Sequence, residues 1–207
     1  YLYKLARDKS PEGQRTFAKS ISDVFLEYHP SLSKRERRLM YEILQQTVHQ
    51  AEMGIRKNVS ERLARIEGVP RELAKILAND EIEVAFPIIS MSDALLDEDL
   101  VEIIHNRSVE HQLAITKKPM VSELVSDAIV EYGEEDVIRS LLLNPNSKIS
   151  STTVEYLVEE SRRLTELQEP ILRREDLSQE LCERMFTWVS SALQQYIQEN
   201  YDLDPEF

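Results

Sequence analysis

The chain has 207 residues, of which 42% are hydrophobic and 30% charged, so it can bury a core and is too apolar for a disordered segment. A single cysteine excludes an internal disulfide and a multi-cysteine zinc site, and it favours a reducing, cytoplasmic setting. No apolar run approaches the roughly 18 residues of a membrane span, and no charged-then-apolar leader opens the chain, so we expect no membrane partner and no secretory signal.

The net charge of −13 is unevenly distributed along the chain. Residues 1–75 hold 15 Lys and Arg against 10 Asp and Glu, whereas residues 76–207 hold 10 against 28. Because nucleic-acid binding depends on neutralising phosphates, the acidic part argues against a nucleic-acid partner. One basic cluster is either a solvated helix face or a contact for an acidic partner protein or an anionic surface. It consists of Lys34, Arg35, Arg37 and Arg38.

The first predicted element is a long amphipathic helix that begins near Gln14. Its apolar residues recur at the spacing of one helix face, and His29-Pro30 ends it. These apolar residues are Phe17, Ile21, Val24, Phe25 and Tyr28.

A second long helix follows at once. Ser33 with Glu36 three residues later is typical of a capping box, and the apolar spacing continues to Ala51. The two helices predict an N-terminal hairpin over residues 1–53. It could pack on the helices that follow or pair with a copy of itself, which would make a homodimer.

After Gly54 the predicted helices shorten and a common pattern of a turn followed by an amphipathic run recurs. The unit repeats at roughly 26 to 30 residues, close to the short end of helical solenoid periods. One helix pair cannot bury its own apolar face, so repeated pairs are expected to stack. The pattern covers 65–77, 115–130, 141–158 and 172–186.

Prolines and glycines mark the predicted helix ends and bends. Pro87 and Pro170 each lie inside an apolar helical segment, where a missing backbone donor should bend or shorten the helix. Gly68 and Gly133 are predicted as left-handed residues at helix ends. Together these patterns predict an all-α helical-repeat domain over residues 54–200.

The chain is predicted to end with one long helix and a short tail over residues 201–207. An apolar stripe from Leu181 to Ile197 predicts about four helical turns. Two readings remain open: a helix that closes the stack, and a face that binds a partner or a second copy.

Several segments resemble a known family. They are Ile55-Arg-Lys-Asn-Val-Ser60, Leu77-Ala-Asn-Asp-Glu-Ile-Glu-Val-Ala-Phe-Pro-Ile-Ile-Ser90, Asp99-Leu-Val-Glu-Ile-Ile104 and Leu172-Arg-Arg-Glu-Asp-Leu177. The run from Ile55 to Phe186 is similar to domain of unknown function 2336, an uncharacterised bacterial family of the alphaproteobacterial type. More loosely, it resembles HEAT and armadillo repeats. The resemblance implies an all-α, HEAT/armadillo-like solenoid and a bacterial cytoplasmic origin, and it implies no activity and no functional residues.

No grouping of residues predicts catalysis. His49 and Glu52 lie one helical turn apart, but further ligands at metal-binding spacing are missing. The acidic groups 97–99 and 134–136 fall at predicted helix starts, where negative charge stabilises the helix dipole. The glycines are isolated, so a phosphate-binding loop is not predicted. We therefore expect no enzyme, no catalytic residue, no cofactor and no metal.

Basic pairs recur near the predicted repeat turns and could contact a partner or an anion if they converge. The pairs are Lys117 with Lys118, Arg162 with Arg163, and Arg173 with Arg174. The leading hypothesis is a non-catalytic interaction module, a scaffold or adaptor in bacterial signalling or regulation that binds a protein partner. The alternative is a sensor of a nucleotide or other small anion. A third reading, a DNA glycosylase on a repeat scaffold, conflicts with the acidic charge.

Overall fold

The computed structural model describes residues 2–201, with side chains from residue 4 onward, and every extended regular element in that part of the chain is helical. The predicted all-α class is therefore confirmed. Val121 and Ser147 form an isolated parallel β-bridge between two loops. Of the predicted tail, residues 202–207 lie outside the described part. The α-helices are α1 (Leu2–Leu5), α2 (Pro11–Tyr28), α3 (Lys34–Thr47), α4 (Met53–Leu63), α5 (Arg71–Ala78), α6 (Ile82–Met91), α7 (Asp97–Asn106), α8 (Val109–Thr116), α9 (Glu123–Tyr132), α10 (Glu135–Leu142), α11 (Ser151–Glu160), α12 (Gln168–Leu172), α13 (Gln179–Phe186) and α14 (Ser191–Asn200).

Serine side chains set many of the helix starts. The predicted capping box is confirmed: the backbone N–H of Ser33 donates to Glu36 at 2.8 Å, and that of Glu36 donates to the Ser33 hydroxyl at 3.4 Å. A serine hydroxyl also accepts a first-turn N–H in α2, α9, α11, α13 and α14. These capping residues are Ser10, Ser122, Ser150, Ser178 and Ser190.

The first of two compact units covers residues 1–103. In it α2 packs on both α3 and α4, and α4 and α5 pack on α6. The helices of the predicted N-terminal hairpin thus pack on helices that follow residue 53, and the predicted boundary at residue 53 stays a prediction. The fully buried core residues include Phe25, Leu44, Leu63 and Ile88.

The second unit covers residues 104–207. Here α10 contacts α8, α9 and α12, while α11 contacts α12 and α13, and α13 contacts α14. Burial of apolar side chains from each of these helices stabilises the unit. The buried residues include Ile115, Ile129, Leu141, Leu157 and Met185.

In each unit, several side-chain hydrogen bonds join residues that lie 23 to 29 positions apart. In the second unit, for example, the hydroxyls of Thr116 and Ser140 are 2.6 Å apart, and Tyr201 donates to the carbonyl oxygen of Leu172 at 2.7 Å. This separation is close to the period expected of stacked helix pairs. The HEAT/armadillo-like solenoid itself stays a prediction.

The structure corrects two predicted helix ends. Gly68 has φ +75°, as expected, but Gly133 has φ −81° and is not left-handed. A Cβ at Gly133 would lie 2.5 Å from the carbonyl oxygen of Ile129, so close packing, not backbone handedness, explains this glycine. The predicted long last helix is also wrong, because Ser190 caps a new helix and the chain turns between α13 and α14.

Candidate functional site

Three adjoining open depressions form a groove on the second unit, which we call the C-terminal groove. Their volumes are about 290, 430 and 770 Å³. Leu143 lines all three, Pro145 links the first two, and Pro170 and Arg173 link the last two. The surface is therefore continuous from the end of α8 past α10 and α12 to the start of α14.

The groove exists because successive helix ends are tied together at its edge. The side-chain amide of Asn144, just beyond α10, donates to the carbonyl oxygens of Thr116 and Lys118 at 2.9 Å each. Arg174, just beyond α12, donates in the same way to the carbonyl oxygen of Ser147 at 2.9 Å. Each bond satisfies a carbonyl at or just beyond a helix end that would otherwise depend on water.

Apolar side chains line part of the groove. Leu143 leaves 56% of its surface exposed, whereas its neighbours Leu141 and Leu142 are buried. Pro145 beside it is also exposed, whereas Pro170 is buried and lines the groove from below, and the half-buried Trp188 lies at the far end.

Basic residues are concentrated in the groove. Residues 104–207 contain ten Lys and Arg, and six of them line the groove beside four Asp and Glu. Outside the groove, residues 104–201 hold four Lys and Arg against 13 Asp and Glu. The groove is thus a basic strip on an acidic unit. Its basic residues are Lys117, Lys118, Arg139, Arg162, Arg173 and Arg174.

Arg162 and Trp188 form the far wall as a pair. The guanidinium carbon of Arg162 lies 4.1 Å from the centre of the Trp188 ring, and its Nε lies 3.2 Å from a carboxylate oxygen of Glu159. The indole N–H donates to the hydroxyl of Ser161 at 3.4 Å. This stacking holds the arginine over the ring, so both present a planar face beside the groove.

The other exposed cations differ in how far they are already paired. Arg173 lies 2.7 Å from Glu169, and Lys117 donates to the hydroxyl of Ser140 at 2.9 Å. Arg139 is exposed and forms no ion pair with any residue in the described part of the chain. Of these three, Arg139 is therefore the cation whose charge is least compensated.

The structure brings together five of the basic residues that the sequence singled out near repeat turns. Lys117, Lys118, Arg162, Arg173 and Arg174 line the groove. Arg163 does not, because it lies in the turn after α11 and pairs at 2.6 Å with Glu160, the last residue of that helix. The predicted basic cluster lies on α3 in the first unit, where Lys34, Arg35 and Arg38 are exposed and Arg37 is half-buried. Within this cluster Arg38 is paired with Glu42 at 3.2 Å.

Arg174 differs from the expectation that it could contact a partner or an anion. It is only 8% exposed, and its guanidinium group donates to Ser147 and to Asp176. The hydrogen bonds that this guanidinium group donates all go to these two residues of the chain. Arg174 therefore ties two turns together, and its neighbour Arg173 is the one that faces solvent.

The sequence analysis missed Arg139 and Leu143, and it placed Trp188 in an apolar stripe for which a partner-binding face was one of two readings. Arg139 lies inside α10 and carries no signal beyond an ordinary helix-surface cation. Leu143 belongs to an apolar run that predicts a buried residue. The Asn144-Pro145 pair was a usable signal, because such pairs favour turns that place the preceding residues at a helix end.

The described residues offer little for chemistry. They contain no group of three or more His, Cys, Asp and Glu side chains able to hold a metal ion. Burial, with a smaller contribution from Glu183, raises the pKa of the Cys182 thiol to about 11, which disfavours the nucleophilic thiolate. Asp99, one of the predicted helix-start carboxylates, is buried between Arg71 and Lys75. No helix in this part of the chain combines the length and apolar character needed to span a bilayer.

Fold and groove together define an all-α protein of short, serine-capped helices with an open basic groove. The chain belongs to the family of uncharacterised proteins conserved in bacteria known as DUF2336, whose sequence model matches residues 84–207. This confirms the resemblance that the sequence suggested, with a match that begins later and extends further than Ile55 to Phe186. No curated protein and no solved structure matches the chain.

Proposed function

We propose that this chain is a non-catalytic interaction module, a scaffold or adaptor in bacterial signalling or regulation, and that its C-terminal groove binds an acidic, extended segment of a partner protein. The observation that carries the proposal is the concentration of six of the unit's ten Lys and Arg around the exposed Leu143 and Pro145. The recurrent hydrogen-bond separation of 23 to 29 residues supports stacked helix pairs, which offer such elongated surfaces.

Charge complementarity selects the occupant. An acidic segment would be attracted to the groove and repelled by the rest of the unit, which favours binding in one place. Arg139 forms no ion pair within residues 4–201, so pairing with a ligand would not break one there. Leu143 and the Trp188 ring could receive apolar side chains of the same segment.

The open shape also favours an extended segment. The three depressions are continuous and open to solvent. A compact small molecule would therefore fill only one of them, whereas an extended peptide could occupy all three. A segment with alternating acidic and apolar residues would place its two kinds of side chain against the basic residues and against the exposed Leu143 and Pro145.

One feature favours the alternative, a sensor of a small anion. The depression of about 290 Å³ is lined by Lys117 and Lys118 and by no carboxylate. A nucleotide phosphate could bind there. Thermal-shift measurements with adenosine and guanosine triphosphates separate the two functions, because binding to the native state must raise the melting temperature.

The only tryptophan of the chain is Trp188, so its fluorescence reports on the groove directly. We would titrate the full chain with a capped ten-residue peptide of alternating glutamate and leucine, and with its lysine-for-glutamate counterpart. The acidic peptide should give a saturable change in fluorescence and the basic peptide none.

Arg139→Glu should raise the Kd of the acidic peptide roughly tenfold, since it replaces an attractive charge by a repulsive one. Lys148→Glu is the matched control, because Lys148 is an exposed cation of the same unit outside the groove. Absence of saturable binding by the acidic peptide, or an equal effect of both substitutions, would overturn the proposal.

A further inference from the structure

A separate depression lies in the first unit, between the end of α2 and the outer side of α4. Its volume is about 630 Å³. His29 and Pro30 line one side, and Asn58, Arg62 and Arg65 line the other. It shares no residue with the C-terminal groove and is independent of the function proposed for that groove.

Two guanidinium groups at this depression are uncompensated. Arg62 and Arg65 are exposed, lie three residues apart at the C-terminal end of α4, and form no ion pair with any residue in the described part of the chain. Glu61 is the carboxylate in the lining, and it is not within ion-pair distance of either arginine. The two side chains are thus free to bind an external anion.

A third arginine adds to the positive potential from α3. The Nε of Arg37 is buried and has no hydrogen-bond partner, which is costly for a charged group. Burial lowers the pKa of His29, and the positive charges of Arg37 and Arg62 lower it further. Both arginines therefore act on the same imidazole, from two different helices.

His29 is itself held in place. Its Nε2 lies 3.2 Å from the hydroxyl of Tyr41, and its ring packs edge-on against Phe25 with 4.8 Å between ring centres. The lowered pKa keeps the imidazole neutral at pH 7, so it adds no charge of its own. The site thus combines an apolar and imidazole wall with the exposed guanidinium groups of Arg62 and Arg65.

We propose that this depression binds the phosphate group of a phosphate monoester, with Arg62 and Arg65 as its principal ligands. Planar guanidinium groups bind phosphate oxygens in pairs, and the side-chain amide of Asn58 adds a further donor. Pro30 and Leu26 line the part of the depression that would receive the organic body of the ester. The positive charge of Arg37 would favour binding of the doubly charged phosphate group over the singly charged form.

Isothermal titration calorimetry of the full chain at constant ionic strength tests the site. The probes are inorganic phosphate, a tripeptide with a central phosphoserine, and adenosine monophosphate. Saturable binding of inorganic phosphate is expected, and whichever ester binds more tightly shows whether the phosphate belongs to a protein or to a small molecule.

The double variant Arg62→Ala/Arg65→Ala should raise the Kd roughly tenfold or more. The matched control, Lys19→Ala/Lys57→Ala, removes the same charge from exposed positions outside the lining and should leave the Kd unchanged. Because all four side chains are exposed, each variant should keep the wild-type circular dichroism spectrum. Arg139→Glu, in the other unit, should not affect phosphate binding.

Lack of saturable binding for all three probes would overturn the proposal. The proposal would also be overturned if the arginine and lysine double variants raised the Kd for phosphate equally, because the change in net charge alone would then explain the effect. Neither result would bear on peptide binding at Trp188, so the two proposals can fail separately.

Discussion

The guanidinium group of Arg174 donates hydrogen bonds to the hydroxyl and to the carbonyl oxygen of Ser147, at 3.0 and 2.9 Å, from 27 residues further along the chain. Asn144 reaches back in the same way to the carbonyl oxygen of Thr116, 28 residues earlier. Such bonds connect consecutive turns at the edge of the C-terminal groove. Stability and groove shape are therefore coupled through a few polar side chains.

Arg174→Ala should destabilise the second unit by about 2 to 3 kcal/mol, because it leaves the buried Ser147 without its charged donor and removes the ion pair with the exposed Asp176. Arg173→Ala is the matched control: that side chain is exposed, and its loss should cost less than about 0.5 kcal/mol. Urea unfolding followed by circular dichroism measures both. Equal costs would show that Arg174 is not a structural tie.

Acid should destabilise the first unit partly through Asp99, which is 2% exposed. Burial raises its pKa, but hydrogen bonds from Arg71, the backbone of Leu96 and Lys75 outweigh burial and lower the pKa to about 2. The pKa is thus lower in the folded than in the unfolded state, where it is about 3.9. The stabilisation is complete above that value and is lost as the pH falls towards 2.

Asp99→Asn should lower the free energy of unfolding at pH 7 by about 1 to 2 kcal/mol, a value reduced because solvent reaches Arg71. The variant should also lose less stability than the wild type as the pH falls from 4 to 2. Melting temperatures across this range measure it. Asp93→Asn, which changes an exposed carboxylate, should lose stability with falling pH as the wild type does. If Asp99→Asn lost as much stability between pH 4 and pH 2 as the wild type, the stabilising role of the Asp99 carboxylate would be contradicted.

Gly54 and Gly133 should respond in opposite ways to alanine. A Cβ at Gly54, in the first turn of α4, would meet nothing within 4 Å, so Gly54→Ala should stabilise the protein by about 0.4 to 1 kcal/mol. A Cβ at Gly133 would lie 2.5 Å from the carbonyl oxygen of Ile129, so Gly133→Ala should cost about 1 to 3 kcal/mol. Thermal unfolding would show shifts of opposite sign, and two shifts of the same sign would contradict the packing argument.

Cys182 should be inert in the folded protein. It is fully buried, and burial, assisted by the charge of Glu183, raises the pKa of its thiol to about 11. At pH 8 the thiolate is then roughly one part in a thousand, before the lack of access is considered. Iodoacetamide should modify the chain rapidly in 8 M urea and at a negligible rate without it. Rapid labelling of the native chain would show that this core opens.

Local sequence determined most of the helices. Serine caps, the Ser33 and Glu36 pair and the apolar spacing are interactions within a few residues, so they can be read in order along the chain. The same local reading failed at Ser190. The apolar stripe continues across the break between α13 and α14, and only the capping serine marks it.

The groove was decided by tertiary structure. Lys117, Arg139 and Arg162 are far apart in sequence, and they line one groove because α10 packs on α8 and α12 and α11 packs on α12. Sequence alone also could not tell which of Arg173 and Arg174 faces solvent. Successive residues at a helix end point about 100° apart, so packing against Ser147 turns one arginine inward and leaves its neighbour outside.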